Sequence, residues 1–151
     1  MTIYSVGYGV TRTIKTLVNQ LKKRDIGTLM DCRTNPFSRY NPEFSKFTLE
    51  PKLKELGIKY VHAGHLGGKQ KYGINYENEL NELEKSSKKK GDGIALMCSE
   101  LDPRKCHRYK KIGEDLAQKG LYIIHIDKDD SDWEHPITAK KAPKKTLILH
   151  R

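Results

Sequence analysis

The segment from Cys98 to Arg108 concentrates side chains that can do chemistry. It holds two thiols, two carboxylates, an imidazole and two guanidinium groups, carried by Cys98, Glu100, Asp102, Arg104, Cys106, His107 and Arg108. A chain reversal needs only glycine, proline or short polar residues. The apolar run before the segment, Gly93 to Met97, is typical of a short buried strand. So many titratable groups at the end of a strand indicate a functional site rather than a plain turn.

Glu100 is the predicted catalytic group of this segment, with Asp31 and His107 as further catalytic candidates. Glu100 follows a buried strand, and burial raises the pKa of a carboxyl group toward neutrality. Such a carboxyl group suits the cleavage of a glycosyl bond. The alternative is that Glu100 caps the following helix or pairs with an arginine. For Asp102, which precedes Pro103, capping is the favoured role.

Basic and aromatic residues in the same set of strand-end loops point to an acidic ligand. Guanidinium groups grip a phosphate or carboxylate bidentately, and tyrosine rings stack on a base. The predicted ligand-binding residues are Tyr8, Arg33, Arg39, Tyr40, His62, Lys69 and Arg108. Two alternatives stay open: Arg33 braces the loops by pairing with Asp31 or Glu100, and the tyrosines cover the edge of the core.

The spacing of Cys98 and Arg104 raises the possibility of a cysteine phosphatase. Five residues separate the two, as in phosphatase loops that lie between a strand and a helix. Those loops direct backbone N–H groups at the phosphate. Here Glu100 and Asp102 would repel a phosphate, and Pro103 offers no N–H. The sequence therefore disfavours this chemistry.

The three cysteines also raise the possibility of a metal site or a disulfide. Cys98, Cys106 and His107, with Cys32 as a fourth group, could ligate a metal, but their spacing differs from the common zinc frameworks. Buried cysteine is also an ordinary small apolar residue. We therefore expect no metal and no cofactor. A reversible disulfide between Cys98 and Cys106 is disfavoured in the cytoplasm.

Five short apolar segments alternate with helical patterns along the chain. The predicted strands span residues 3–6, 28–32, 59–62, 94–98 and 121–126, and the predicted helices span 13–24, 48–56, 76–89 and 105–119. This alternation is typical of an α/β fold with parallel strands and helices on both faces of the sheet. Ligands of open parallel sheets sit beyond the carboxyl ends of the strands. We therefore expect the strand-end loops to converge on one shared site.

Length and charge limit the class of protein. The chain has 151 residues, 36% of them hydrophobic, and a formal net charge of +10. We expect one domain at residues 1–127 and a charged C-terminal extension, residues 128–151, packing on or beside it. Without a long apolar stretch or a secretory signal, we expect a cytoplasmic protein with no membrane span. The charge serves solubility, or attracts the phosphates of a nucleotide or nucleic acid.

Four motifs coincide with the ends of the predicted strands. They are Tyr4 to Tyr8; Asp31-Cys32-Arg33 with Pro36 and Ser38-Arg39; Gly57 to His62 with Leu66-Gly67-Gly68; and Cys98-x-Glu100-x-Asp102-Pro103-x-x-Cys106-His107-Arg108. Together they resemble the domain-of-unknown-function family 488. The resemblance implies a Rossmann-like fold with an open, mostly parallel sheet, and no settled activity. The chain departs from the family at Gly7-Tyr8-Gly9, where Gly-His-Ser is usual, and at Cys32, where an aliphatic residue is usual.

Three functional hypotheses follow. The leading one is a protein that binds a nucleotide or nucleic acid at the carboxyl rim of the strands and hydrolyses or transfers at a base–sugar bond. The first alternative is a non-catalytic nucleic-acid-binding module that uses the same rim and the lysine-rich tail. The second is a cysteine-dependent phosphatase or redox enzyme, which requires a thiol of depressed pKa at Cys98 or Cys106. The oligomeric state is not predicted by any of these patterns.

Overall fold

The computed structural model describes residues 2–67, 73–89 and 91–136 of the chain. Within these residues one sheet contains six strands: β1 Ile3–Gly7, β2 Ile26–Asp31, β3 Lys59–His62, β4 Gly93–Cys98, β5 Ile123–Ile126 and β6 Asp132–Glu134. Their order across the sheet is β3-β2-β4-β1-β5-β6. The first five strands run parallel, and β6 is antiparallel to β5. The predicted α/β fold with an open, mostly parallel sheet is confirmed.

Helices cover both faces of the sheet, as predicted. On one face lie α1 (Ile14–Lys23) and α2 (Lys46–Glu55), and on the other lie α3 (Ile74–Ser87) and α4 (Glu114–Gln118). The first core layer includes Val6, Leu17, Leu21, Leu29, Leu49, Leu53 and Met97. The second includes Ile3, Leu80, Leu83, Ile94, Leu116 and Ile123. Each layer thus joins helix and strand residues, which fixes the strand ends relative to the helices.

The chain crosses the sheet in two opposite directions. From β1 it passes through α1 to β2 and through α2 to β3; α3 then returns it to β4, and α4 leads it to β5. Consequently β4 is inserted between β1 and β2, although it follows both in sequence. The connections from β1 and β2 leave toward one face and the connection from β4 toward the other, so the loops separate above the end of β4. Such a separation opens a crevice of the kind where α/β sheets bind ligands.

Local signals set the helix ends. The Thr13 hydroxyl accepts a hydrogen bond from the Thr16 backbone N–H at 3.1 Å, which caps the start of α1. Gly57, just after α2, has a φ of 80°, a left-handed conformation in which a side chain would be strained. Both positions agree within two residues with the helix boundaries that the sequence predicts.

The last predicted helix, residues 105–119, is not one continuous α-helix. It consists of a 3-10 turn at Pro103–Lys105, a π-helix at Arg108–Gly113 and then α4. Two contacts hold the wider π turn: Arg108 Nε donates to Ser5 Oγ in the core, and His135 packs so closely on Gly113 that a Cβ there would lie 2.6 Å from its ring. π-Helices occur frequently at functional sites.

The start of the predicted C-terminal extension is part of the sheet. Within residues 128–136, β6 pairs with β5 from Ile124 opposite Glu134 to Ile126 opposite Asp132. The remainder of the extension, residues 137–151, lies outside the described residues, and so does the predicted ligand-binding residue Lys69.

Candidate functional site

A cleft of about 610 Å3 lies where the loops after β1, β2 and β4 separate. Its basic lining residues are Arg33, Arg39 and Lys105, and its aromatic ones are Tyr8, Phe37 and Tyr40. The loop after β4 contributes Cys98, Ser99, Glu100, Cys106 and His107. Residues from three distant parts of the sequence therefore meet above the carboxyl edge of the sheet.

The β2 side of the cleft is built on an ion pair between Arg33 and Asp31. Arg33 Nε donates to Asp31 Oδ1 at 2.9 Å and Nη2 donates to Oδ2 at 2.7 Å, a bidentate arrangement. Arg33 Nη1 also donates to the Tyr8 hydroxyl at 2.8 Å, and Tyr60 donates its hydroxyl proton to Asp31. Burial opposes the charge of Arg33, but the hydrogen bonds and charge of Asp31 outweigh burial and raise the pKa of Arg33. The structure therefore shows the bracing role of Arg33.

The β4 side of the cleft is built on Arg108, which is fully buried. Its Nη1 donates to Cys98 Sγ and to the Glu100 carbonyl, each at 2.7 Å. Its Nη2 donates to the Leu101 carbonyl at 3.3 Å and its Nε to Ser5 Oγ at 3.1 Å. Within the described residues no carboxylate forms a salt bridge with Arg108. Its charge is therefore directed at a thiol and at backbone carbonyls.

The two cysteines of the cleft have opposite pKa shifts. Burial disfavours the Cys98 thiolate, but the hydrogen bond from Cys106 and the charge of Arg108 outweigh burial and lower the pKa of Cys98 to about 7. The hydrogen bond to Cys98 and burial raise the pKa of Cys106 well above its usual value. Cys98 is therefore the thiol that ionises first.

Cys98, Cys106 and His107 form a compact cluster. One sulfur or nitrogen atom of each lies within 4.8 Å of those of the other two, and His107 Nδ1 is 3.5 Å from Cys106 Sγ. Burial, followed by the charge of Arg108, lowers the pKa of His107 to about 4, so its ring is neutral at pH 7. His107 Nε2 is buried and meets no hydrogen-bond partner among the described residues. Within the described residues, these three side chains are the ones close enough to share a metal, and the expectation of no metal stays a prediction.

Glu100 lies on the cleft with one carboxylate oxygen fixed. Its Oε2 accepts a hydrogen bond from the Asp102 backbone N–H at 3.0 Å. Asp102 Oδ1 in turn accepts from the Arg104 N–H at 3.0 Å and caps the turn that Pro103 begins, as the sequence predicts. The Glu100 side chain forms no salt bridge with Arg33 or Arg108. Glu100 is therefore a cleft residue whose carboxylate is held by the backbone rather than by a buried arginine.

The cleft brings together six of the predicted site residues: Tyr8, Arg33, Arg39, Tyr40, Glu100 and His107. Asp31 and Arg108 lie behind it, fully buried, with their polar atoms bonded inside the protein. His62 Nε2 is 2.9 Å from the Arg33 carbonyl oxygen, and His62 lines a separate cavity of about 630 Å3. Arg33, Arg108 and Asp31 are thus part of the framework, while Arg39 and Tyr40 are exposed at the cleft.

A chain of buried hydrogen bonds supports Arg108 from behind. Ser5 Oγ accepts from Arg108 Nε and lies 2.5 Å from His125 Nδ1. His125 Nε2 lies 2.9 Å from His135 Nδ1, and His135 Nε2 lies 3.1 Å from Glu114 Oε1. Burial, with the nearby His135 and Arg108, lowers the pKa of His125 to about 3, so its ring is neutral at pH 7. One donor order satisfies every atom: Ser5 donates to His125, His125 to His135, and His135 to Glu114.

The sequence patterns did not predict this series of buried hydrogen bonds. The available signal was an imidazole inside an apolar strand, His125 between Ile124 and Ile126. A buried polar side chain requires a hydrogen-bond partner. Ser5 lies in β1, 120 residues from His125, and His135 follows β6, ten residues after His125. No spacing rule identifies either residue as a partner of His125.

The close approach of the β4 loop to β1 requires a glycine. A Cβ on Gly7 would lie 1.8 Å from the Glu100 carbonyl oxygen and 2.9 Å from Arg108 Nη1. Gly9 N–H donates to the Ser99 carbonyl at 2.9 Å. The loop that carries Glu100 is therefore held directly against the end of β1, and Gly7 leaves room for the Arg108 hydrogen bonds.

Comparison with known proteins identifies a family but no similar individual protein. The family described as "Domain of unknown function DUF488" matches residues 13–110 of the chain. No curated protein and no solved structure is significantly similar to the chain. Among the described residues, no helix has the length and apolar character that a membrane crossing requires.

Proposed function

The chain belongs to the DUF488 family, whose description assigns no activity, and we propose from the cleft itself that the protein binds a nucleotide-type ligand and cleaves or transfers at its base–sugar bond. The observation that carries this proposal is the meeting of exposed basic groups, exposed aromatic rings and the Glu100 carboxylate in one cleft. A nucleotide offers the matching parts: a phosphate, a flat base and a glycosyl bond between them.

The cleft mouth provides contacts for the phosphate and the base. Arg39 and Lys105 are exposed there and supply positive charge for a phosphate. Tyr40 is 77% exposed and Phe37, which packs against Phe47, is 48% exposed, so both rings are accessible for stacking on a base. The formal net charge of +10 raises the local concentration of anionic ligands.

Glu100 is the group proposed to act on the glycosyl bond. The Asp102 N–H holds one carboxylate oxygen, which orients the side chain. The C1′–N bond breaks, its electron pair leaves with the base, and the Glu100 carboxylate stabilises the positive charge that develops on the sugar. In hydrolysis water adds to C1′ and the proton it loses goes to the departed base; in transfer a second base adds and its N–H proton goes there instead. Arg39 and Lys105 position the phosphate during this step.

Binding is tested by calorimetric titration with nucleoside monophosphates and short single-stranded oligonucleotides. Arg39→Ala should weaken binding by about tenfold, because hydrogen bonds to charged groups contribute about 1.5–3 kcal/mol. Lys54→Ala, an exposed residue of α2 away from the cleft, is the matched control and should bind normally. Absence of binding by both ligand classes would overturn the proposal.

Catalysis is tested by chromatography of free base released from the ligands that bind. Glu100→Gln should abolish release and leave binding intact, whereas Glu50→Gln on the exposed surface of α2 should have no effect. Unchanged turnover in Glu100→Gln would exclude the proposed role of Glu100. Binding without base release in the unmodified protein would favour the non-catalytic binding module. The proposal includes a cytoplasmic location, where nucleotides are abundant and thiols stay reduced.

A further inference from the structure

We propose that Cys98 and Cys106 form a thiol pair that reduces a small hydroperoxide, with Cys98 as the attacking thiol and Cys106 as the resolving thiol. This inference does not depend on nucleotide binding. It rests on four features of the described residues: the distance between the thiols, their position on the cleft, the charge that faces Cys98 and the burial that limits access.

The two sulfur atoms are close enough to react with each other. Both cysteines line the cleft, and their Sγ atoms lie within 4.8 Å of each other. A disulfide requires a sulfur–sulfur distance of about 2.05 Å, which rotation about the Cα–Cβ bonds and a small loop shift can supply. Cys98 is the last residue of β4, whereas Cys106 lies between the 3-10 turn and the π-helix, so Cys106 is the partner that can shift without disturbing the sheet.

Arg108 stabilises the anion that the first step needs. Its Nη1 donates to Cys98 Sγ at 2.7 Å, and no carboxylate among the described residues competes for that charge. Ser5 fixes the Arg108 Nε atom, and the chain through His125, His135 and Glu114 fixes Ser5. The lowered pKa of Cys98 and the raised pKa of Cys106 agree with an attacking and a resolving thiol.

Burial selects a small oxidant. Cys98 is 3% exposed and Cys106 is 5% exposed, so little of either residue is accessible from the cleft. Hydrogen peroxide or a short alkyl hydroperoxide is small enough for such limited access, whereas a protein disulfide is not. Cys32 is 0% exposed, does not line the cleft, and burial with the charge of Asp31 raises its pKa well above the usual value. Cys32 is therefore an internal control.

The reaction balances with one hydroperoxide and two thiols. The Cys98 thiolate attacks one peroxide oxygen, the O–O bond breaks, Cys98 becomes a sulfenic acid, and the leaving alkoxide takes a proton to become an alcohol. The Cys106 sulfur then attacks the Cys98 sulfur, and the hydroxyl group leaves with the Cys106 proton as water. Two thiols are oxidised to one disulfide while the hydroperoxide is reduced to alcohol and water. Two molecules of a low-molecular-weight thiol restore both cysteines by thiol–disulfide exchange and leave as their own disulfide.

The experiment treats the reduced full-length protein with one equivalent of hydrogen peroxide at pH 7. Thiols counted after denaturation should fall from three to one, and peptide mapping should join Cys98 to Cys106. Cys98 should react at least about tenfold faster than Cys32, because each unit of pKa changes the thiolate fraction about tenfold. No loss of thiols, or a disulfide that contains Cys32, would overturn the proposal.

Single variants separate the two roles. Cys32→Ser should still form the disulfide, Cys106→Ser should stop at a sulfenic acid that a dimedone-type reagent captures, and Cys98→Ser should lose the fast reaction. A Cys98→Ser protein that reacts as fast as the unmodified one contradicts the assignment. So does purified protein that holds one equivalent of zinc on this pair and resists peroxide. Glu100→Gln should keep the peroxide reaction, so failure of the nucleotide proposal is distinguishable from failure of this one.

Discussion

The two sides of the cleft each contain a buried arginine, but the arginines have different partners. On the β2 side, Arg33 meets the carboxylate of Asp31 in two hydrogen bonds. On the β4 side, Arg108 meets the Cys98 thiol, two backbone carbonyls and the Ser5 hydroxyl. The charge of the first guanidinium is balanced by a carboxylate, and that of the second is not. Sequence alone presents both as the same kind of anion-binding residue.

This difference separates structure from reactivity. The positive charge of a guanidinium paired with a carboxylate is largely balanced and has little effect on other groups. The role of Arg33 is therefore to hold the β2 loop in place. A guanidinium without a carboxylate stabilises the anion of the most acidic group beside it, here the Cys98 thiol, whose pKa falls to about 7. The contrast suggests that an arginine's partner, rather than its position at the strand ends, decides its role.

The largest expected effect comes from breaking the β2 side. Asp31→Asn keeps the shape of the side chain but leaves Arg33 buried without a counter-charge, and removing one partner of a buried pair costs about 3–5 kcal/mol. The free energy of unfolding in urea should fall by that amount. Asp31→Asn combined with Arg33→Met should recover part of the loss. Equal stability of the single variant and the unmodified protein would show that the pair is not a brace.

Removal of Arg108 should have a smaller effect on stability and a large one on the thiol. Arg108→Met removes the buried charge together with its donors, leaving the Glu100 and Leu101 carbonyls unsatisfied at a cost of about 1–3 kcal/mol. The iodoacetamide reactivity of Cys98 at pH 7 should fall by about tenfold or more, because its pKa rises toward the ordinary value. Cys106→Ser serves as the background for this assay. A loss larger than that of Asp31→Asn would contradict the comparison.

The effect that is smallest at pH 7 belongs to the β4 side, and it grows as the pH falls. The pKa of His125 falls from 6.5 to about 3 on folding, so below pH 6.5 the unfolded chain binds more protons than the folded protein. Stability from His125 is present in full above pH 6.5 and is lost as the pH falls toward 3, with a slope of at most about 1.4 kcal/mol per pH unit. In the His125→Gln variant, the free energy of unfolding in urea should depend less steeply on pH between pH 7 and pH 4. An unchanged slope would mean that His125 is not buried as a neutral ring.

Much of the framework could be predicted from the sequence. Alternating strand and helix patterns place the first five strands within a few residues of their observed bounds, because each pattern reflects local burial. The convergence of Tyr8, Arg33 and Glu100 on one cleft follows from the rule for parallel sheets. The cap by Asp102 follows from its place before Pro103.

The choice between alternatives could not be predicted, since it depends on contacts between distant residues. Arg33 had Asp31, Glu100 or a ligand phosphate as partners, and only the packing of the β2 loop places it on Asp31. The same holds for the π-helix at Arg108–Gly113, which depends on Ser5 and on His135 from elsewhere in the chain. His62, predicted to join the site, is held by the Arg33 carbonyl and lines the other cavity.

The insertion of β4 between β1 and β2 also determines when the sheet and its cleft can form during folding. β1 pairs with β4 and β5, so Ile3 can enter the sheet only when Ile94 or Ile123 is present to pair with it. A nascent chain that has not reached residue 93 can pair only β2 with β3. Pairings across such long separations slow folding, because the entropy of closing the loop is lost before the contacts form. The cleft and the proposed thiol pair therefore form together, once β4 has entered the sheet, and a chain that ends before residue 93 can form neither.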